Sequence, residues 1–320
     1  MKGIGAVIVT YNSQGEVGPC LDSVMGRVES VIVVDNASSD GTLAEVRERP
    51  FAALVANPGN RGFAAAVNQA IQALDTPYIL LLNPDAVLQT GLEELAGACA
   101  EIGVGAAAGK LTGSQGRPQT GFSVRRFPKP LALSFEALGL NRIWPGNPVN
   151  RRYRCLGLNL EVPADVEQPA GAFLMIRRQA WQAVGGFDER FYPIWFEDVD
   201  FLRRARSAGF RVRYVPGAVA RHGGGHSAGR IPWESREVYW YGSLIRYSFK
   251  HFRITGRVLV WAAVVTGCTL RAVYGVLRQR KLSPLAVYGR VISFACLRLV
   301  SGRIGEAGDT PVLARQQSVR

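Results

Sequence analysis

The stretch YILLLNPDA, from Tyr78 to Ala86, is an apolar run that stops abruptly at Asn83-Pro84-Asp85. Taken alone this ending reads as a turn, because Pro fixes φ and Asn or Asp can hydrogen-bond the local backbone. Its meaning depends on its neighbours. Three comparable runs precede it: IGAVIVTY from Ile4, SVIVVD from Ser30 and AALVAN from Ala52. Between the third run and YILLLN, the segment GFAAAVNQAIQAL places Phe63, Val67, Ile71 and Leu74 at spacings of four, four and three, which makes one apolar helix face. Strands alternating with helices imply βαβ units and a mainly parallel sheet with right-handed crossovers. Both faces of such a sheet are covered, which accounts for strands that are apolar almost throughout.

The polar residues that follow the four strands then share one location. Tyr11-Asn12, Asp35-Asn36, Asn57 with Asn60, and Asn83-Pro84-Asp85 all fall at the carboxyl edge, where open α/β sheets bind ligands. The crevice is not of the common dinucleotide type. The first strand leads into TYNSQGEVG rather than G-x-G-x-x-G, and G-x-x-x-x-G-K-[ST] is absent from the sequence. A nucleotide can still be held through Asp35 and the flanking turns, with Ser38 or Ser39 of SSDGT as a helix cap.

A second acidic cluster lies in FYPIWFEDVDFLRRARSAGF. Val199, Leu202 and Ala205 form one face of a predicted helix that starts near Glu197, Asp198 and Asp200. The helix dipole favours acids there, but three of them behind an aromatic run exceed what capping requires.

The 320 residues are 48% hydrophobic, enough to bury one large core or two modest ones. The net charge of +13 is concentrated: from Arg236 to Arg320 there are 14 Lys and Arg against 3 Asp and Glu. That quarter also carries Tyr239, Trp240, Tyr241, Tyr247 and Phe249, then a 13-residue uncharged run between Arg257 and Arg271. The run is shorter than the ~20 residues of a spanning helix, so the basic, aromatic region reads as an interfacial membrane anchor or as helices packed on the catalytic domain or a dimer partner. No nucleic-acid recognition module accompanies the charge. The five cysteines are scattered and form no C-x-x-C pair, which points to a reducing compartment and no structural zinc. The N-terminal apolar run reaches Thr10-Tyr11-Asn12 too soon for a signal peptide and reads as a first strand.

VIVTYN, VVDNASSDGT, NPGNRGFAAAVNQAI, LLNPDA, QPAGAFLMIRR, GGFDERFYPIWFEDVDFLRRARSAGF and RHGGGHS stand in the order found in family 2 glycosyltransferases. The chain resembles bacterial rhamnosyltransferases of cell-wall and O-antigen polysaccharide synthesis. The resemblance implies an α/β GT-A fold, Rossmann-like, with a mainly parallel sheet flanked by helices and a C-terminal helical extension. It implies a catalytic domain over 1–235, with a nucleotide-sugar half of about 1–110 and an acceptor half of about 111–235. Residues 236–320 form the basic helical region with a disordered tail.

The same resemblance implies roles. Asp35 contacts the nucleotide base, with Thr10, Tyr11 and Asn12 on the edge of that pocket. Asn60 and Gly62 approach the donor, although Gly62 also fits a turn at a helix start. Asn83-Pro84-Asp85 occupies the place of the family's D-x-D motif, with Asn83 in place of the first Asp. Asp85 is then a ligand of Mg²⁺ or Mn²⁺, joined by His222, with His226 and Ser227 as weaker candidates. Gly171 and Ala172 let the chain pass close to the donor sugar or make a tight turn before FLMIRR. Asp198 is the catalytic base, with Glu197 and Asp200 positioning acceptor or base. The implied activity is inverting, metal-assisted hexosyl transfer from dTDP-rhamnose, alternatively a UDP-sugar, to a saccharide or polyprenyl-diphosphate-linked acceptor. It implies a cytoplasmic enzyme, peripheral to the inner face of the cell membrane. A nucleotidyltransferase would carry a Gly-rich basic loop after the first strand, which TYNSQGEVG lacks; a non-catalytic scaffold would have no use for Asp35, Asp85 and Asp198 together.

Overall fold

The computed structural model describes residues 3–224 and 229–306. They form two compact units, Met1–Phe127 with Arg154–Asp188 and Glu197–Ser227, and Pro128–Tyr153 with Glu189–Phe196 and Ala228–Arg320. The second unit thus draws in two segments from before residue 236. The tail expected to be disordered falls largely on 307–320, outside the described residues.

The first unit opens with β1 (Ile4–Thr10), α1 (Val17–Val24), β2 (Ser30–Asp35), α2 (Thr42–Arg47), β3 (Ala52–Ala56), α3 (Phe63–Ala73) and β4 (Tyr78–Leu82). It continues through β5 (Ala86–Thr90), α4 (Leu92–Ala100), β6 (Val104–Thr112) and β7 (Val124–Arg125). After the second unit's α5 (Pro130–Leu138), α6 (Leu140–Ile143) and α7 (Pro148–Tyr153) come β8 (Ala164–Val166), β9 (Gln168–Pro169), β10 (Phe173–Arg177), α8 (Arg178–Ala183), α9 (Glu197–Ser207) and β11 (Arg211–His222).

The main sheet has the order β3-β2-β1-β4-β10-β6-β11-β5, with β8 paired on β11. β1 to β4 pair in parallel. β10 runs antiparallel to both β4 and β6, and β11 is parallel to β6 but antiparallel to β5 and β8. Six of the nine strands therefore point the same way, giving the expected mostly parallel sheet with helices on its faces. Alternate residues of each strand enter different cores. Ile4, Ala6 and Ile8 of β1 join Leu21 and Leu95 on one side; Val7 and Val9 join Val67, Ile71 and Phe201 on the other. This is why the strands read as continuous apolar runs.

β6, between β10 and β11, carries a run of small residues, Ala106, Ala107, Ala108 and Gly109, beside β10. A Cβ on Gly109 would stand 2.2 Å from Cε1 of Phe173 and 2.5 Å from the Ala218 carbonyl oxygen. The missing side chain is what allows Phe173, the first residue of β10, to lie there.

The second unit is helical, completed by α10 (Trp233–His251), α11 (Ile254–Gln279) and α12 (Ser283–Ser301). Val260, Val264 and Cys268 of α11 and Val287, Val291 and Phe294 of α12 are buried. Arg271, which closes the uncharged run, donates to the Ala137 carbonyl of α5 at 2.5 Å. Segment 189–196 is tied to α10 by the Ser243 hydroxyl, which donates to the Ile194 carbonyl at 3.0 Å, and by Phe196 against Tyr247. Among the described residues, α11 and α12 are long and apolar enough to cross a membrane. α11 reaches 26 residues because the helix continues through Arg257 and Arg271.

Gly109→Ala is expected to destabilise the first unit by about 1–3 kcal/mol through overpacking against Phe173. Urea unfolding should give a lower midpoint with an unchanged slope.

Candidate active site

Register sets the carboxyl edge. Thr10 lies opposite Asp35 and Asp35 opposite Ala56, so β1, β2 and β3 end together. The buried Asp35 carboxylate accepts from the Thr10 hydroxyl at 2.7 Å, the Ser38 hydroxyl at 2.5 Å and the Ser38 amide at 2.8 Å. Asn12, in the left-handed region at φ 52°, donates its amide to Ser38 Oγ, and its Oδ1 accepts from the Ser39 amide. The turns after β1 and β2 are thereby locked together, with Tyr11 partly buried between. The expected cap does not form. Gly41 precedes α2 with no side-chain cap, because Ser38 is committed to Asp35 and Ser39 to Asn12. Asn36 donates to the Gly62 carbonyl, and the Asn60 side chain accepts from the Gly62 amide. Gly62 itself sits at φ 83°, ψ 160° ahead of α3, a conformation reserved for glycine.

Asn83-Pro84-Asp85 is the whole connection between β4 and β5. The Asn83 amide donates to the Ala172 carbonyl at 3.0 Å, while its own carbonyl accepts from the Ala86 amide and the Cys20 thiol. Burial, then the charge of Asp85, pushes the Cys20 thiol far up, so it is a hydrogen-bond donor and no nucleophile. β11 runs back along β5 with His222 opposite Ala86, which delivers the imidazole to Asp85: Nε2 lies 3.4 Å from Oδ1, and both side chains are buried.

Gln119 fixes the ring. Its Nε2 donates to the His222 carbonyl at 3.0 Å, so Oε1 is the atom facing Nδ1, also at 3.0 Å. An amide oxygen only accepts, hence Nδ1 carries hydrogen and a neutral ring presents the Nε2 lone pair toward Asp85. Phe122 stacks on the imidazole at 5.3 Å. Among the described residues no group of three or more His, Cys, Asp or Glu is placed to hold a metal. Asp85 and His222 nonetheless supply one oxygen and one nitrogen donor, with the other ring nitrogen anchored as in metal-bound histidines. That donor set suits Mg²⁺ or, with its nitrogen, Mn²⁺, when phosphate and water complete the shell. Gly225, His226 and Ser227 lie outside the described residues.

The third element is the start of α9. Asp198 Oδ1 accepts from the Val199 amide at 2.8 Å and Oδ2 from the Gly171 amide at 3.1 Å. A Cβ on Gly171 would stand 3.1 Å from Oδ2, so this glycine leaves room for the carboxylate. Burial raises the Asp198 pKa; the two amides and nearby Arg125 oppose the rise. Glu197 is buried, and Oε2 has no hydrogen-bond partner among the described residues. Its pKa is raised well above the ordinary carboxylate value by burial and by Asp198. Asp200 is turned elsewhere: fully buried, it pairs with Arg204 at 2.8 Å, and Arg204 also binds the Val184 and Gly186 carbonyls.

Gln119, Phe122 and Arg125 went unnoticed in the sequence. They lie in PQTGFSVRR, which runs from the loop after β6 through β7, a stretch without helix or strand periodicity; Gly121 and the Arg125-Arg126 pair were the available signal.

Residues 6–181 match the model of Glycosyl transferase family 2, and residues 161–300 that of Glycosyl transferase family group 2. The chain is 32% identical over 251 residues to an N-acetylglucosaminyl-diphospho-decaprenol L-rhamnosyltransferase of Mycobacterium tuberculosis, covering 71% of this chain and 78% of that protein. It is 24% identical to the rhamnosyltransferase WbbL of Escherichia coli, over 68% of this chain and 81% of that one. The structure of a mannosyltransferase from Pyrobaculum calidifontis, in complex with GDP-Man and Mn2+, superposes with a TM-score of 0.52 at 17% identity, covering 93% of this chain and 87% of that one. The fold is GT-A, and the protein is a glycosyltransferase. It belongs to glycosyl transferase family 2.

Because the folded-state pKa of Glu197 is raised, the folded state holds its proton more tightly than the unfolded chain does. Stability contributed by this group is lost as pH rises from the ordinary Glu range through the raised value. Glu197→Gln should therefore match wild type near pH 4 and melt about 2–4 °C higher at pH 8 in differential scanning calorimetry.

Proposed function

We propose that this glycosyltransferase moves rhamnose from dTDP-rhamnose, with inversion at the anomeric carbon, to a hydroxyl of a saccharide or polyprenyl-diphosphate-linked acceptor in cell-envelope polysaccharide synthesis. The observation that carries the reading is a two-residue bridge: Ala172 holds Asn83, and Gly171 holds Asp198. It ties the Asp85 loop to a buried carboxylate that can accept a proton. The rhamnosyltransferase relatives support the donor.

Asp198 takes the proton from the acceptor hydroxyl as that oxygen attacks the anomeric carbon. Its second oxygen is fixed by the Gly171 amide, which keeps the base oriented. Glu197, whose pKa burial raises, positions the acceptor, as a hydrogen-bond donor in its protonated form. Asp200 acts at one remove, holding α9 through Arg204. Thr10, Tyr11, Asn12 and Asp35 take the nucleoside, and Asn60, Gly62, Asn83, Gly171 and Ala172 border the donor. Asp85 and His222 would hold a divalent cation, Mg²⁺ or Mn²⁺, which when bound would supply positive charge to the leaving diphosphate. The neutral Asn83 leaves Asp85 as the acid of that motif. Peripheral association with the cytoplasmic face of the membrane is supported by the basic charge after Arg236 and by exposed Leu270, Val273, Leu277 and Leu285 on α11 and α12.

Calorimetric titration with dTDP, UDP and GDP, each with Mn²⁺ and with EDTA, tests the donor. Metal-dependent binding of dTDP is expected; preference for UDP replaces the donor, and binding of none removes the catalytic reading. Asp198→Asn should keep nucleotide binding while lowering transfer at least about 100-fold. In wild type the acid limb of the rate should fall above the ordinary Asp range, because the Asp198 pKa is raised. Gln119→Leu should weaken Mn²⁺ affinity about 10–100-fold, measured by titration at saturating nucleotide.

A further inference from the structure

A cavity of about 360 Å³ lies wholly within the helical unit, walled by α5, α6, segment 189–196, α10 and α11. Its size falls in the ~300–1,000 Å³ range of small-molecule sites. Two tryptophans line it, Trp195 and Trp240, each partly buried. Tyr241 stands edge-on to Trp240 at 4.8 Å and 83°, which fixes that ring. Trp195 is held by its backbone. It stands at φ 78° and Phe196 after it at φ 69°, two successive bulky residues in the left-handed region, and strain of this kind collects at ligand clamps. Phe196 serves packing, buried against Tyr247 at 5.4 Å. Trp195, only partly buried, lines the cavity instead.

The charged lining has both signs. Glu136 and Glu237 join Arg142, Arg236 and Arg271. Arg271 is fixed by the Ala137 carbonyl, and Glu237 accepts from the Tyr288 hydroxyl at 3.2 Å. Arg236 is the fourth residue of α10, at the end where the helix dipole disfavours a cation, so capping does not explain it. This lining narrows the occupant. The two carboxylates disfavour an anion, and five charged groups disfavour a hydrocarbon chain. A pyranose matches both parts: its C–H face lies on an indole ring, and its hydroxyls, which donate and accept, use guanidinium and carboxylate alike.

We infer that this cavity binds a neutral pyranose of the saccharide acceptor, on the reading given above that the enzyme transfers a sugar to such an acceptor. In the chain Trp195 and Phe196 run directly into Glu197 and Asp198, whereas the nucleoside residues stand at the ends of β1 and β2. The bound sugar is therefore assigned to the acceptor and not to the donor. Trp195 and Trp240 offer the stacking faces, and Arg142 and Arg236, both exposed, bond its hydroxyls.

The test is saturation-transfer NMR of the full chain, with dTDP and Mg²⁺ present, against the methyl glycosides of glucose, galactose and N-acetylglucosamine. At least one glycoside should take up saturation on its ring C–H protons. Trp195→Gly removes the ring at a φ suited to glycine, and Arg142→Leu/Arg236→Leu changes exposed positions that no core depends on. Each should weaken glycoside binding about tenfold. Trp144→Ala, which removes a 61% exposed ring that does not line the cavity, should change it by less than about twofold. An equal loss in Trp144→Ala would reduce the effect to stacking on any exposed ring, and an unchanged signal in both cavity variants would put the sugar elsewhere; either overturns the site. Absence of saturation with all three glycosides, while dTDP still binds by calorimetry, overturns the saccharide assignment alone. Absence of dTDP binding as well removes the catalytic reading with it.

Discussion

The site depends on one reversed strand. β10 runs antiparallel between β4 and β6, and an antiparallel strand begins where its neighbour ends. Phe173 therefore faces Leu82, the last residue of β4. The two residues ahead of it, Gly171 and Ala172, fall at the same edge as Asn83 and have backbone groups to spare, since the ladder has not yet begun. One of those groups takes the Asn83 amide and the other supplies an amide to Asp198. A parallel β10 would have brought its far end, Arg177, to this edge instead. The β4–β5 loop is thus joined to Ala172 by a main-chain hydrogen bond, and the amide of the adjacent Gly171 holds the Asp198 carboxylate at the start of α9.

Within that frame, three acids in four positions have separate electrostatic fates. Asp200 is satisfied by Arg204 and serves packing. Asp198 receives two amides, which offset part of the burial cost and keep its ionised form accessible. Glu197 has an oxygen with no hydrogen-bond partner among the described residues; burial and its negative neighbour Asp198 raise its pKa, so it holds its proton more tightly than an ordinary Glu. Pairs of titratable groups whose surroundings push them apart are how acid and base roles are divided at one pH.

Much of this was legible in the sequence because it follows from period and order. The four early strands, the α3 face and the polar residues at their ends came from patterning alone, and the order of motifs marked Asp35, Asp85, Asp198 and His222. What stayed hidden depends on pairing over long separations. FLMIRR reads as a strand, but nothing local says that it runs backwards. Ser38 looks like a helix cap in SSDGT until Asp35 is found to claim it. Asp200 cannot be told from Glu197 and Asp198 until Arg204 is seen reaching the carbonyls of Val184 and Gly186. Gln119 matters through both ends of its amide, which contact a residue 103 positions away.

Gly109 has no chemistry of its own and lies inside the sheet, on β6 between β10 and β11. It borders Phe173, the residue that follows the Gly171-Ala172 bridge. Volume added at Gly109 is thus transmitted along the chain to the carboxylate one bond network away. A screen scoring sugar transfer would return this glycine beside the acids, as though it were a reactive group, and the small residue here is a requirement of alignment rather than of hydrophobicity.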